Sequence, residues 1–394
     1  MRNWFQKRLP GCLIFGCALL GAQAIQAQTV NGVSANEILI GTVQDLSGPV
    51  VAFSKEVVNG LRMRFDEANA AGGVAGRKIR LIVEDSGYDT KKGMMAAQKL
   101  VQSDRVFMVL GTMGTAVAVT TLPIFLEAGI IHAFPNAASP LAYDPPSPLK
   151  FAHAPPYNGM GRVMMRFLIK ARADRKFCSL VQDDDFGQDL MRGVNAEAAA
   201  QKINLLERTT YKRGATDFTS QVARLKAAGC DTVVLGTTAR ETVATLAEAK
   251  KLSFSPDFIS SAAAFSAQVP KLGGDAMEGL MAVGLNLPPD ASGPTEGMKK
   301  WFAAYKTKYG EEPGQYASGG YASAGWVLKG MEGAGANLTA ARFNEAMERL
   351  QIPADELGFA PITFGPTKRL GGTDMRIYRI QGGKWLPVSD FIPS

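Results

Sequence analysis

The sequence predicts an α/β protein of two doubly wound lobes that face each other across a cleft. Three observations predict it. From residue 37 onward, short apolar strand patterns alternate with amphipathic helical ones, the rhythm of a parallel sheet covered by helices on both faces. The rhythm pauses around Phe151-Ala152-His153-Ala154-Pro155-Pro156 and then restarts, which gives two similar halves. In both halves the strands end in turns of small and polar residues, and open α/β sheets bind ligands outside those carboxyl ends.

The first strand is expected over 38–43 and runs into Gln44-Asp45-Leu46-Ser47-Gly48-Pro49. A helix over 54–70 puts Val57, Leu61, Phe65 and Ala68 on one face and closes at Gly72-Gly73. A strand over 79–83 and a helix over 91–102 follow. The first half is then organised around residues 106–140. There a solid apolar run over 106–110 reads as a strand buried on both faces. It turns at Gly111-Thr112-Met113-Gly114 into a helix that Thr115 is expected to cap through its hydroxyl and that ends near Gly129. The next strand, 130–134, ends in Pro135-Asn136-Ala137-Ala138-Ser139-Pro140. The first of these turns offers free amides and the positive end of a helix, which suits a carboxylate or phosphate. An ordinary βαβ connection explains one such turn. Two aligned turns, with matching ones later, point to a small-molecule site.

The second half repeats the scheme with helices over 159–172, 190–200, 218–228 and 239–252 and strands over 177–181, 204–211, 232–235 and 258–260. Its strand-end turns are Gln182-Asp183-Asp184-Asp185-Phe186-Gly187, Gly236-Thr237-Thr238 and Ser261-Ala262-Ala263. A strand over 280–285 leads out of it. Helices are expected over 298–309, 315–330 and 339–350, and Gln381-Gly382-Gly383 signals a terminal hairpin.

Composition narrows the function. The chain has 394 residues, 46% hydrophobic and 20% charged, which accommodates two ordinary globular domains. Residues 1–27 read as a secretory signal peptide with Arg2, Lys7 and Arg8 before a short apolar run. Ile14-Phe15-Gly16-Cys17 loosely resembles a lipobox, so lipid anchoring at Cys17 is the lesser alternative. The formal charge of +7 falls to +4 without those three basic residues, and no basic run remains, so nucleic acid is not a partner. Cys178 and Cys230 are the cysteines left beyond the signal. An oxidising compartment permits a bridge between them, with two buried thiols as the default.

No catalytic constellation emerges. GxSxG, P-loop and HExxH motifs, CxxC pairs and a helix-opening GxGxxG are all absent from the sequence. His132 and His153 are the only histidines. The first reads as a structural residue of an apolar strand, the second as a hinge contact. Asp183, Asp184 and Asp185 are better explained as a strand-end turn that caps the next helix than as a magnesium site. Neither a metal nor a cofactor is expected, and the chain reads as a binding protein rather than an enzyme.

A family resemblance sharpens this. In order, Leu46-Ser47-Gly48-Pro49, Ala71-Gly72-Gly73-Val74-Ala75-Gly76, Glu84-Asp85-Ser86, Asn136-Ala137-Ala138-Ser139-Pro140, Asp184-Asp185-Phe186-Gly187, Asp217-Phe218 and Ala276-Met277-Glu278-Gly279 resemble the Leu/Ile/Val-binding protein family. These are type I periplasmic solute-binding proteins of ABC importers. The resemblance implies lobes joined by three crossover strands, near 153–157, 283–287 and 358–362. Lobe 1 is then 37–153 plus 285–358, and lobe 2 is 154–284 plus 359–394. It also implies a monomer in the periplasm that delivers a small molecule to inner-membrane permease subunits driven by cytoplasmic ATPases.

The departures from the family bear on the ligand. Thr115 stands where amino-acid binders of the family grip the ligand carboxylate with a serine, and Ala138 where they add a threonine. Ala262 replaces the glutamate that meets the ligand ammonium, Thr238 a tyrosine, and Phe53 and Phe186 pocket tyrosines. A buried ammonium without its carboxylate costs several kcal/mol. The expected ligand is therefore an aromatic or aliphatic carboxylate without an amino group. Thr115 and Asn136 hold its head, with Met113, Gly114 and Ala137 as backbone neighbours, and Phe53 and Phe186 flank its body. The alternatives are an amino acid, with Asp185 or Glu241 as substitute acid, and a periplasmic sensor acting on a receptor.

Overall fold

The computed structural model describes residues 30–172 and 174–394. The expected signal peptide, Cys17 included, lies outside the described residues. Lobe 1 opens with β1 (Glu37–Gln44), α1 (Val51–Ala70), β2 (Lys78–Asp85), α2 (Thr90–Gln102), β3 (Met108–Leu110), α3 (Thr115–Glu127), β4 (Ile131–Ala133) and β5 (Lys150–Phe151). Its parallel sheet has the order β2-β1-β3-β4-β5. The reversal of direction beside β1 makes the crevice where the strand-end turns meet. Both β3 and β4 are fully buried, β3 as its unbroken apolar run requires and β4 with His132 between apolar neighbours.

Lobe 2 contains α4 (Tyr157–Ala171), β6 (Phe177–Gln182), α5 (Asp185–Ala200), β7 (Glu207–Tyr211), α6 (Thr219–Ala227), β8 (Thr232–Gly236), α7 (Ala239–Lys251), β9 (Asp257–Ser260), α8 (Gln268–Gly273) and β10 (Met281–Gly284). The chain returns to lobe 1 as α9 (Glu296–Tyr309), α10 (Gln315–Ala334) and α11 (Ala340–Arg349), followed by the small pair β11 (Gln351–Ile352) and β12 (Ile362–Thr363). It ends in lobe 2 with the hairpin β13 (Asp374–Gln381) and β14 (Lys384–Pro387), which extends that sheet to the order β14-β13-β10-β9-β8-β6-β7.

Helices α1 and α10 cross with their backbones in contact because glycines face each other. A Cβ on Gly60 would lie 2.1 Å from the Ala317 carbonyl oxygen, and one on Gly320 would lie 2.4 Å from that of Val57. This crossing locks the returning helices onto the sheet that carries the first strand-end turns. In lobe 2, Cys178 and Cys230 form a disulfide with their Cα atoms 5.9 Å apart, so the default of two free thiols is replaced by a bridge.

The expected boundary at 358 needs correction. Residues 359–372 pack on lobe 1: β12 pairs with β11, and the Phe364 ring lies 5.2 Å from Phe151 and 5.9 Å from Phe134. Arg369 bonds Asn344 and Glu348 of α11 at 2.8 Å each. Ala152 is held between the Arg369 carbonyl and the Gly371 amide. The third crossover therefore comes after Gly371, at the approach to β13. The reason is burial, since Phe359, Ile362 and Phe364 are buried, with Phe359 against Trp326 and Phe364 against Phe151.

Candidate functional site

The site is assembled from strand ends. After β1, Asp45 accepts the amides of Ser47 and Val50 at 3.2 and 2.7 Å and also that of Gly48, while Asp85 accepts that of Leu46 at 2.8 Å. These bonds fix the turn that launches α1 and place Phe53 in its first helical turn. After β3, the turn and its neighbour are tied together: the Asn136 amide reaches the Thr112 carbonyl at 2.8 Å and the Gly114 amide reaches the Asn136 carbonyl at 3.2 Å. The Asn136 side chain donates to the Gly111 carbonyl at 3.0 Å.

Thr115 is not the cap of α3, as expected, but its first residue. Gly114 takes the cap position with φ +91°, a left-handed conformation that favours glycine, and a Cβ there would strike the Tyr88 ring at 2.3 Å. The correction frees the Thr115 hydroxyl from capping. It lies instead within hydrogen-bonding reach of the Tyr157 phenol.

Two adjoining cavities, of about 20 and about 90 Å³, occupy the cleft and share Asn136, Tyr157, Ala263 and Tyr316. Phe53, Met113, Gly114, Thr115, Asn136, Phe186 and Thr238 line the smaller one, and Ala137, Ala138 and Ala262 the larger. All ten residues singled out in the sequence thus meet at one place. Phe53 stacks on Tyr316 with centroids 4.3 Å apart, and Phe186 lies 4.7 Å from Tyr157. The result is an aromatic box with hydroxyls at its edges.

Three tyrosines of that box, Tyr88, Tyr157 and Tyr316, have no strong signal in the sequence. Tyr88 follows the turn after β2, where the strand-end rule points to it. Tyr157 starts α4 beyond the first crossover, with its amide donating to the Ala138 carbonyl at 2.8 Å. Tyr316 arrives on α10, and nothing local marks it. Burial raises the pKa of all three phenols, and neighbouring negative groups add to this. They remain protonated donors at neutral pH. Among the described residues, neither cavity is lined by Asp, Glu, Lys or Arg.

Contacts across the cleft hold the lobes together. Arg213 donates to the Tyr88 carbonyl at 2.7 Å, lies 5.3 Å from the centre of its ring, and pairs with Asp184 at 3.2 Å. The Gln182 side-chain amide reaches the Tyr88 hydroxyl at 3.4 Å, and the Ala267 amide reaches Gln315 at 2.8 Å. Asp184 caps α5 by accepting the Phe186 amide. Asp183 pairs with Lys212 and Asp184 with Arg213 and the α5 cap, so two of the three aspartates are occupied, and the described residues contain no cluster suited to a metal.

His153 sits at the first crossover against Phe134, Trp326 and Phe359. His132 is buried on β4, with Nε2 3.2 Å from the Thr112 hydroxyl. Burial pushes both imidazoles down to about 4, aided for His132 by Lys150, so both are neutral at pH 7. No described helix is long and apolar enough to cross a membrane.

A family model described as periplasmic binding protein matches residues 37–384. The chain is 27% identical over 311 residues to a Leu/Ile/Val-binding protein homolog 2 of Brucella abortus, covering 78% of this chain and 81% of that one. A branched-chain amino acid ABC transporter protein from Thermus thermophilus, solved with bound valine, superposes with a TM-score of 0.83 at 19% identity, over 92% of this chain and 98% of the other. A solute-binding protein from R. palustris in complex with benzoate gives 0.81 at 18% identity, over 91% and 98%.

Proposed function

The chain belongs to the periplasmic binding protein family, in its Leu/Ile/Val-binding branch, and on that premise we propose that it is the substrate-binding subunit of an ABC importer for a small organic carboxylate without an amino group. The observation that carries the ligand class is the cavity lining, rich in neutral donors and without an acidic side chain. A carboxylate head fits against the Thr115 hydroxyl and the first amides of α3. An ammonium would find no carboxylate in contact with it.

The apolar body lies in the box of Phe53, Tyr316, Tyr157 and Phe186. Cavities of about 90 and 20 Å³ fall well below the several hundred Å³ of drug-sized sites, which favours a single ring or a short aliphatic chain. The ligand touches both lobes and so favours their closed arrangement. Closure then presents the loaded monomer to permease subunits with their ATPases at the periplasmic face of the inner membrane.

A second reading, an amino acid, rests on Glu241, which is 3% exposed and bonded to Thr238 of the cavity wall. Thermal shift on refolded, ligand-free protein separates the two. A ligand at 100 times its Kd adds about 2.7 kcal/mol, a visible change in Tm. Shifts with benzoate and short carboxylates but not with leucine support the proposal, and shifts with leucine alone select the second reading.

A further inference from the structure

The wall of lobe 2 carries a polarity that the carboxylate site does not explain. Thr238 and Glu241 stand as Thr-x-x-Glu at the start of α7, the spacing of a capping box. In such a box the threonine oxygen accepts an amide of the first turn. Here Thr238 makes no cap bond, and its hydroxyl donates to Oε2 of Glu241 instead. A carboxylate has no proton to return, so the Thr238 proton is committed and only its oxygen lone pairs remain. Glu241 is buried in the first turn of α7.

The other hydroxyls of the smaller cavity differ. Tyr88 accepts from Gln182 and so keeps its own proton to donate. Tyr157 is engaged with Thr115. Of the lobe 2 residues lining this cavity (Tyr157, Phe186, Thr238 and Ala263), Thr238 carries the hydroxyl whose proton is committed to a carboxylate. Thr238 is buried at 6% exposure, so its free lone pairs are matched only by a ligand that donates to them.

We infer that the juxtaposition of Thr238 and Glu241 makes lobe 2 select a ligand with an O–H or N–H donor remote from its carboxylate. The class is a hydroxylated aromatic acid. This rests on the proposed carboxylate site and specifies its other end. Thr238 is a specificity-determining residue, and Glu241 acts through it as a positioning residue.

The test is calorimetric titration of the refolded protein with benzoate, the three hydroxybenzoates and their methoxy counterparts, which keep the oxygen, add one methyl group and lack the donor. At least one hydroxybenzoate is expected to bind 10-fold or more tighter than both benzoate and its methoxy partner. Thr238→Val brings that ratio close to one, and Thr238→Ser keeps it. Glu241→Gln, whose amide donates to the Thr238 oxygen, releases the threonine proton and shifts preference toward the methoxy compound. Tight benzoate binding with a ratio near one in the unmodified protein, or a ratio that survives Thr238→Val, overturns this inference and leaves the carboxylate reading standing. No binding of any of these acids overturns this inference together with the aromatic form of the carboxylate reading.

Discussion

At the scale of single residues, Thr115 and Glu56 make opposite demands on their surroundings. Thr115 offers a hydroxyl to the cavity from the first turn of α3. Thr115→Val keeps the shape and is expected to weaken an anionic ligand by roughly 1–3 kcal/mol, read by calorimetry. Equal affinity removes Thr115 from the site. Glu56 lies on α1 facing the start of α10, with Gln268 of lobe 2 at 3.4 Å and Glu311 nearby. Burial pushes its carboxyl up to about 7. Its folded value lies above the unfolded one, so the stability it lends is complete below pH 4.5 and is lost as pH rises through 7. The two histidines have depressed values, so their contribution is complete above pH 6.5 and is lost as pH falls through 4. Each effect is on the order of 2–3 kcal/mol, and between pH 4.5 and 6.5 they oppose one another. Glu56→Gln should therefore raise Tm at pH 8 and leave it nearly unchanged at pH 4. A lower Tm at pH 8 would show that α10 needs the charge.

At the scale of elements, two devices hold the cleft walls. The first is the crossing of α1 and α10, where Gly60 and Gly320 admit the opposing backbone. Gly320→Ala places a methyl where the Val57 carbonyl lies and is expected to cost 1–3 kcal/mol by overpacking. Because Phe53 and Tyr316 ride on these two helices, ligand affinity should fall along with Tm. The second device is the Cys178–Cys230 bridge, with a sequence separation of 52 residues in lobe 2. Replacing both cysteines with alanine is expected to lower stability by roughly 2–4 kcal/mol in denaturant titration. The elements themselves were legible, because buried strands and amphipathic helices each carry their own period. The start of α3 was read one residue late. Thr115 is a good capping residue by composition, but Gly114 alone accommodates both the left-handed backbone and the Tyr88 ring. Residues 359–372 carry no period, so only their packing reveals that they belong with lobe 1.

For the molecule as a whole, the proposed function makes binding and closure one event. Arg213 reaches from lobe 2 to the Tyr88 carbonyl and the face of its ring, at the rim of the cavity. Arg213→Met removes these contacts while keeping a long side chain. Solution scattering should then show a larger radius of gyration without ligand, and affinity should drop because more of the closing energy falls on the ligand. Unchanged scattering would assign Arg213 to capping the Asp184 turn alone. By itself, the sequence determined the fold class, the paired lobes and the strand-end turns where a ligand would sit, since these follow from local periodicity and turn chemistry. The tertiary structure decided which side chains complete the box. Phe53, Tyr157, Phe186 and Tyr316 come from distant parts of the chain, and only the helix crossing and the crossovers bring them together.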